Sequence, residues 1–143
     1  MKLTNSNMRW VFQELSKLDL TKPKEIKITD WNGKRSISAN NQQHLWYGQI
    51  AKHKGDVSAI GVKNWCKANI GLPILHGSDI HGDKISFLLD KLDYYKHSYE
   101  SQMRLIQCLE VTRLFNTSES KEYMENMIFY WNDNGVPIKF EDN

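Results

Sequence analysis

Two stretches of this 143-residue chain hold residue types able to do chemistry. The first is His76-Gly-Ser-Asp79-Ile-His81-Gly-Asp83, which places imidazoles and carboxylates at H-x-x-D-x-H-x-D spacing. Such groups bind divalent ions, and a metal there would make a small nuclease or hydrolase. The second stretch is cationic. Lys34, Arg35, Lys52, His53, Lys54, Lys63 and Lys67 fall close together, with Trp31, Trp46, Tyr47 and Trp65 among them. Single-stranded nucleic acid is held by such a mixture, the cations tracking the backbone and the aromatic faces taking bases at ~1–3 kcal/mol each. Asn40, Asn41, Gln42 and Gln43 add amides able to bond phosphates or base edges. The plainer alternative is an ordinary solvated lysine face, with Trp46 and Trp65 in the core. On the nucleic-acid reading, Lys34, Arg35, Lys52, Lys54, Lys63 and Lys67 neutralise phosphates, and Trp31 and Tyr47 stack on bases.

Other chemistry has less to stand on. Neither G-x-x-x-x-G-K-[ST] nor G-x-G-x-x-G occurs, and there is no G-x-S-x-G elbow. Cys66 and Cys108 are read as buried thiols in helical patterns. No catalytic residue and no cofactor is expected. The net charge of +2 hides an asymmetry. Residues 1–72 carry twelve Lys/Arg against five Asp/Glu, and residues 73–143 carry seven against twelve. A basic half can meet a polyanion while an acidic half meets a basic partner. No apolar run approaches the ~18 residues that span a bilayer. The N-terminus lacks a signal-peptide core, so a cytoplasmic protein without a membrane partner is expected.

The elements that must position these residues follow from periodicity. A helix is expected over about 7–18, with Met8, Val11, Phe12, Leu15 and Leu18 on its stripe. Residues 25–31 alternate like a strand. Asn32-Gly33 signals a hairpin turn, and residues 34–37 would pair back. Ser38 caps a helix that runs to Lys54, with Gly55 closing it. Its stripe buries Leu45, Trp46 and Ile50. A further helix starts at Asp56 or Ser58 and ends at Gly71 and Pro73, leaving residues 71–83 as a loop. Helices follow through Ile85–Tyr95 and after Ser98. Residues 111–115 read as β-prone. Thr117 or Ser118 caps a last helix bearing Tyr123, Met124, Met127, Ile128 and Trp131, ended by Asn134-Gly135. The expected class is α+β: one domain over 1–143, mostly helical with a small antiparallel β-hairpin near the N-terminal third.

Ser38-Ala-Asn-Asn-Gln-Gln-His-Leu-Trp46, followed by Ile50-Ala51, resembles the S-x-x-Q-N-x-x-L-W segment of phage NinB-type recombination proteins, the Orf family. Trp65-Cys-Lys67 is similar to that family's Trp-Lys helix. Val111-Thr-Arg-Leu-Phe, Ser120-Lys-Glu-Tyr-Met-Glu-Asn-Met and Asn134-Gly-Val-Pro are similar to its closing segments. The Q-N pair stands here as Asn41-Gln42, and the stretch between Gly71 and Val111 has no counterpart. The resemblance implies a homodimer that binds single-stranded or gapped DNA without catalysis. It also implies a mediator role beside the host single-strand DNA-binding protein. The expected function is therefore a phage recombination accessory protein. The alternatives are a metal-dependent nuclease using His76, Asp79, His81 and Asp83, or a protein-interaction module.

Overall fold

The computed structural model describes residues 3–28 and 38–141. Helix makes up 67% of the structure, and no strand occurs among the described residues, so the expected α+β class is replaced by an all-helical one. Residues 25–28 are irregular. Ile26 and Ile28 are 58% and 78% exposed, so the alternation has no face to bury, and an isolated two-stranded hairpin is marginal without one. The Asn32-Gly33 turn and its partner strand lie outside the described residues.

The chain divides into two compact units, Met1–Arg35 and Ser36–Asn143. In the first, α1 (Met8–Ser16) is closed by a Lys17–Glu14 ion pair at 2.7 Å. Val11 is its buried residue, and Phe12 on the expected stripe is exposed.

The second unit begins with α2 (Ala39–Lys54), where the Ser38 side chain accepts from the Asn41 backbone N–H and Gly55, at φ +78°, closes the helix. Trp46 and Ile50 are fully buried as expected, but Leu45 is exposed and Gln42, Gln43 and Tyr47 are buried. The helix has turned its amides inward. The reason lies in the C-terminal tail. Gln42 Oε1 accepts from the Glu141 backbone N–H at 2.8 Å, and the Trp46 indole donates to the Lys139 carbonyl at 2.8 Å. A tail without a strand partner needs side chains to satisfy its backbone, and α2 supplies them.

The next helix does not stop at Gly71 and Pro73. From α3 (Ala59–Cys66) the chain passes through a π-helical turn (Lys67–Gly71) into α4 (Leu72–His76). The Leu72 N–H reaches back five residues to the Lys67 carbonyl. That register shift gives α4 a fresh first turn, where proline's missing N–H costs nothing. Gly71 is required at the bend: a Cβ there would lie 2.8 Å from the Val111 side chain. After α5 (Gly82–Lys91) and a 3-10 turn (Tyr94–Lys96), Ser98 caps α6 (Tyr99–Cys108). Residues 111–115, β-prone by composition, hold a 3-10 turn (Val111–Leu114). Asn116, not Thr117 or Ser118, caps α7 (Thr117–Asp133), in a reciprocal box with Glu119.

The long helix run has two apolar sides. Val62, Cys66 and Ile70 pack with Trp46 and Ile50 of α2, Tyr123 and Met127 of α7, and the tail. Leu72 and Leu75 pack with Ile85, Leu89, Ile106 and Val111. Cys66 is buried as expected, whereas Cys108 is exposed.

Candidate nucleic-acid interface

The C-terminal turn of α2 holds Lys52, His53 and Lys54. Cations there also suit the helix dipole, so their presence needs no ligand. Their surroundings say more. Gly55 reverses the chain, and Ser58 caps α3 by accepting from the Gly61 N–H at 3.1 Å. Gly61 lets the chain fold back over the helix, since a Cβ there would lie 2.8 Å from the Val57 side chain. This short connection sets Lys54 and Val57 at the mouth of a cleft of about 360 Å³, whose walls include Trp65, Tyr99, Tyr130 and Asn134. Every one of these residues belongs to the second unit.

The cleft is aromatic. The Trp65 ring lies 4.8 Å from Tyr130 and 5.2 Å from the buried Trp131, and Tyr130 stands edge-on to Trp131 at 89°. Trp131 anchors the group in the core while Trp65 is half-buried, and Tyr130 and Tyr99 are exposed. The result is a set of rings fixed from behind and open in front. Flat apolar faces with a cation at the rim suit a base and its phosphate. Among the described residues Lys52, Lys54 and Lys63 make no ion pair. The ion pairs are local ones elsewhere, such as Arg104–Glu100 and Lys121–Glu125. No carboxylate of the described residues competes with a ligand for these lysines.

The expected contact residues divide accordingly. Lys52 and Lys54 are exposed and Lys63 is half-buried. Trp31, Lys34 and Arg35 lie outside the described residues. Lys67 is a correction, being only 4% exposed in the π-helical turn. Burial, and next the neighbouring Lys63 cation, lower its pKa below the usual lysine value. It cannot meet a phosphate at the surface. Tyr47 is a second correction. It is 2% exposed, and its hydroxyl meets that of Tyr123 at 2.8 Å. Burial raises the pKa of both hydroxyls. No base can reach its ring. Asn40 and Asn41 are exposed, but Gln42 and Gln43 are buried.

Tyr99 and Tyr130 were not singled out from the sequence, and Asn134 was read only as a helix stop and part of a closing segment. Tyr130 precedes a core Trp131 on an amphipathic helix, and Tyr99 follows a cap residue. No spacing links either to Lys54.

The histidine loop is arranged differently from a metal site. His76 Nδ1 lies 2.9 Å from the Ser86 hydroxyl, and Nε2 lies 3.0 Å from the Tyr95 hydroxyl. Both ring nitrogens are engaged, and the imidazole ties α4 to α5 and the following 3-10 turn. Asp79 and Asp83 are exposed and His81 is half-buried. Among the described residues no group of three or more His, Cys, Asp or Glu is placed to hold a metal ion. No helix among them is long and apolar enough to cross a membrane. Comparison with protein-family models, curated proteins and solved structures returns no match for this chain.

Proposed function

We propose that this chain is a non-enzymatic DNA-binding accessory protein of phage-type recombination, binding single-stranded or gapped DNA and acting as a dimer. The observation that carries the DNA contact is Lys54 at the mouth of a cleft lined by Trp65, Tyr99 and Tyr130. Lys52, Lys54 and Lys63 neutralise phosphates, and Tyr130 and Tyr99 receive bases. Asn134 lines the cleft with its side-chain nitrogen donating to the Tyr130 carbonyl at 2.8 Å, which leaves its Oδ1 to accept from a base edge. The recombination context rests on the resemblance of the Ser38-to-Trp46 segment. An acidic tail of a single-strand DNA-binding protein would meet the same basic side.

The test is a fluorescence titration with oligo-dT at two salt concentrations, read through the cleft tryptophans. Binding is expected at low salt, weakening with a slope of roughly −0.7 per neutralised phosphate. Absence of binding at low salt overturns the reading.

A further inference from the structure

Behind Tyr130 lies a second groove of about 330 Å³. Ile70, Pro73 and Ile74 form one side of it, and Asn126, Phe129 and Tyr130 of α7 form the other, with Glu122 at its edge. Phe129 is 75% exposed, although it sits within a well-capped helix of 17 residues. Covering such a ring takes apolar area out of water, so the groove gains from an apolar occupant.

Its charge narrows the choice. Helical spacing puts Glu122, Glu125, Asn126 and Asp133 on the same outward face as Phe129. Glu125 is paired with Lys121 at 3.8 Å, but Glu122 and Asp133 have no cation partner among the described residues. Among the described residues the Asn126 amide has no hydrogen-bond partner, so its donors and acceptor are open to a peptide backbone. A phosphate backbone would meet like charge here. So would a second α7 laid symmetrically on the first.

We infer that this groove docks a short segment of a partner protein in which an aliphatic or aromatic side chain is flanked by lysine or arginine. The apolar side chain enters between Phe129 and Pro73–Ile74, and the cation pairs with Glu122. The inference does not depend on the DNA reading, since Glu122, Phe129, Pro73 and Ile74 line this groove and not the cleft that holds Lys54.

Fluorescence anisotropy with synthetic peptides tests it on the full chain. The probes carry a leucine flanked by lysines, the same leucine flanked by glutamates, and a serine flanked by lysines. The lysine-flanked leucine peptide is expected to bind best. Glu122→Lys and Phe129→Ser should each weaken it by about tenfold or more while leaving the circular-dichroism melt in place. Both positions are exposed, so folding is spared. Lys54→Glu should leave peptide binding intact, which separates failure here from failure of the DNA reading. Equal binding of lysine- and glutamate-flanked peptides overturns the proposal. So does full binding by Glu122→Lys, loss of self-association in Phe129→Ser, or loss of oligonucleotide binding in that variant.

Discussion

Two grooves share one wall. On one side of Tyr130 the cleft has Lys54 at its mouth and Trp65 and Tyr99 beside it; on the other the groove has Phe129 within and Glu122 at its edge. Both are of similar volume, both are aromatic, and both hang from α7. They differ chiefly in the charge at the rim. Apolar area favours any flat or greasy occupant about equally, so the rim decides which polymer is admitted. On the two proposals, the same fold offers DNA one groove and a basic protein segment the other.

That comparison can be broken in four ways, from the widest effect to the narrowest. The widest removes both grooves with the fold. Burial raises the hydroxyls of Tyr47 and Tyr123, and pushes the Cys66 thiol up to about 12, with the Trp131 indole pulling it slightly back. The folded chain therefore keeps protons that the unfolded chain gives up. This stabilising contribution is full below the ordinary Cys value of 9.0 and is lost as pH rises toward the raised folded values. Lys67, lowered by burial, runs the other way, since its folded-state penalty eases as pH rises toward 10.5. Burial also raises the hydroxyls of Tyr94 and Tyr95. With five groups against one, melting temperature is expected to fall as pH rises from about 9 to about 11. A melt that stays level there shows that these groups are not buried as described.

The next effect is confined to the shared wall. Tyr130→Ala should weaken oligo-dT by ~1–3 kcal/mol and weaken the lysine-flanked peptide too. An effect on one ligand alone would show that the grooves do not share this ring. Lys54→Ala acts on one side only. Oligonucleotide affinity should fall and its salt slope flatten by roughly 0.7, with the peptide unaffected. Unchanged slopes would remove Lys54 from the phosphate path.

The narrowest effect on binding is none. Tyr47→Phe strands the Tyr123 hydroxyl in the core and should cost ~1–3 kcal/mol in chemical denaturation. Oligonucleotide affinity should not change. A loss of affinity at full stability would return Tyr47 to the interface.

The corrections have a common cause. α2 was legible in its caps, because Ser38 and Gly55 act through their own backbone neighbours. Its inward face was legible only in Trp46 and Ile50; the burial of Gln42 was not, because its partner sits in the tail, at Glu141. Pro73 read as a stop because a proline's cost in a regular helix is local knowledge. The π-helical turn that avoids the cost ends at Gly71, which packs against Val111 forty residues on in the chain. The alternation in residues 25–28 is a real pattern, but a strand needs a neighbour, and none is paired with it among the described residues.

By itself the sequence determined the two caps of α2 and which stripe of α7 is buried. Those features depend on hydrogen bonds and spacings within a few residues of one another. It also determined that cations cluster before residue 68. Which of them reach solvent was decided only by tertiary packing, which left Lys54 at a cleft and drew Lys67 inside. The cleft itself joins residues 54, 65, 99 and 130. Side chains so far apart along the chain become one surface only when the core fixes the helices that carry them.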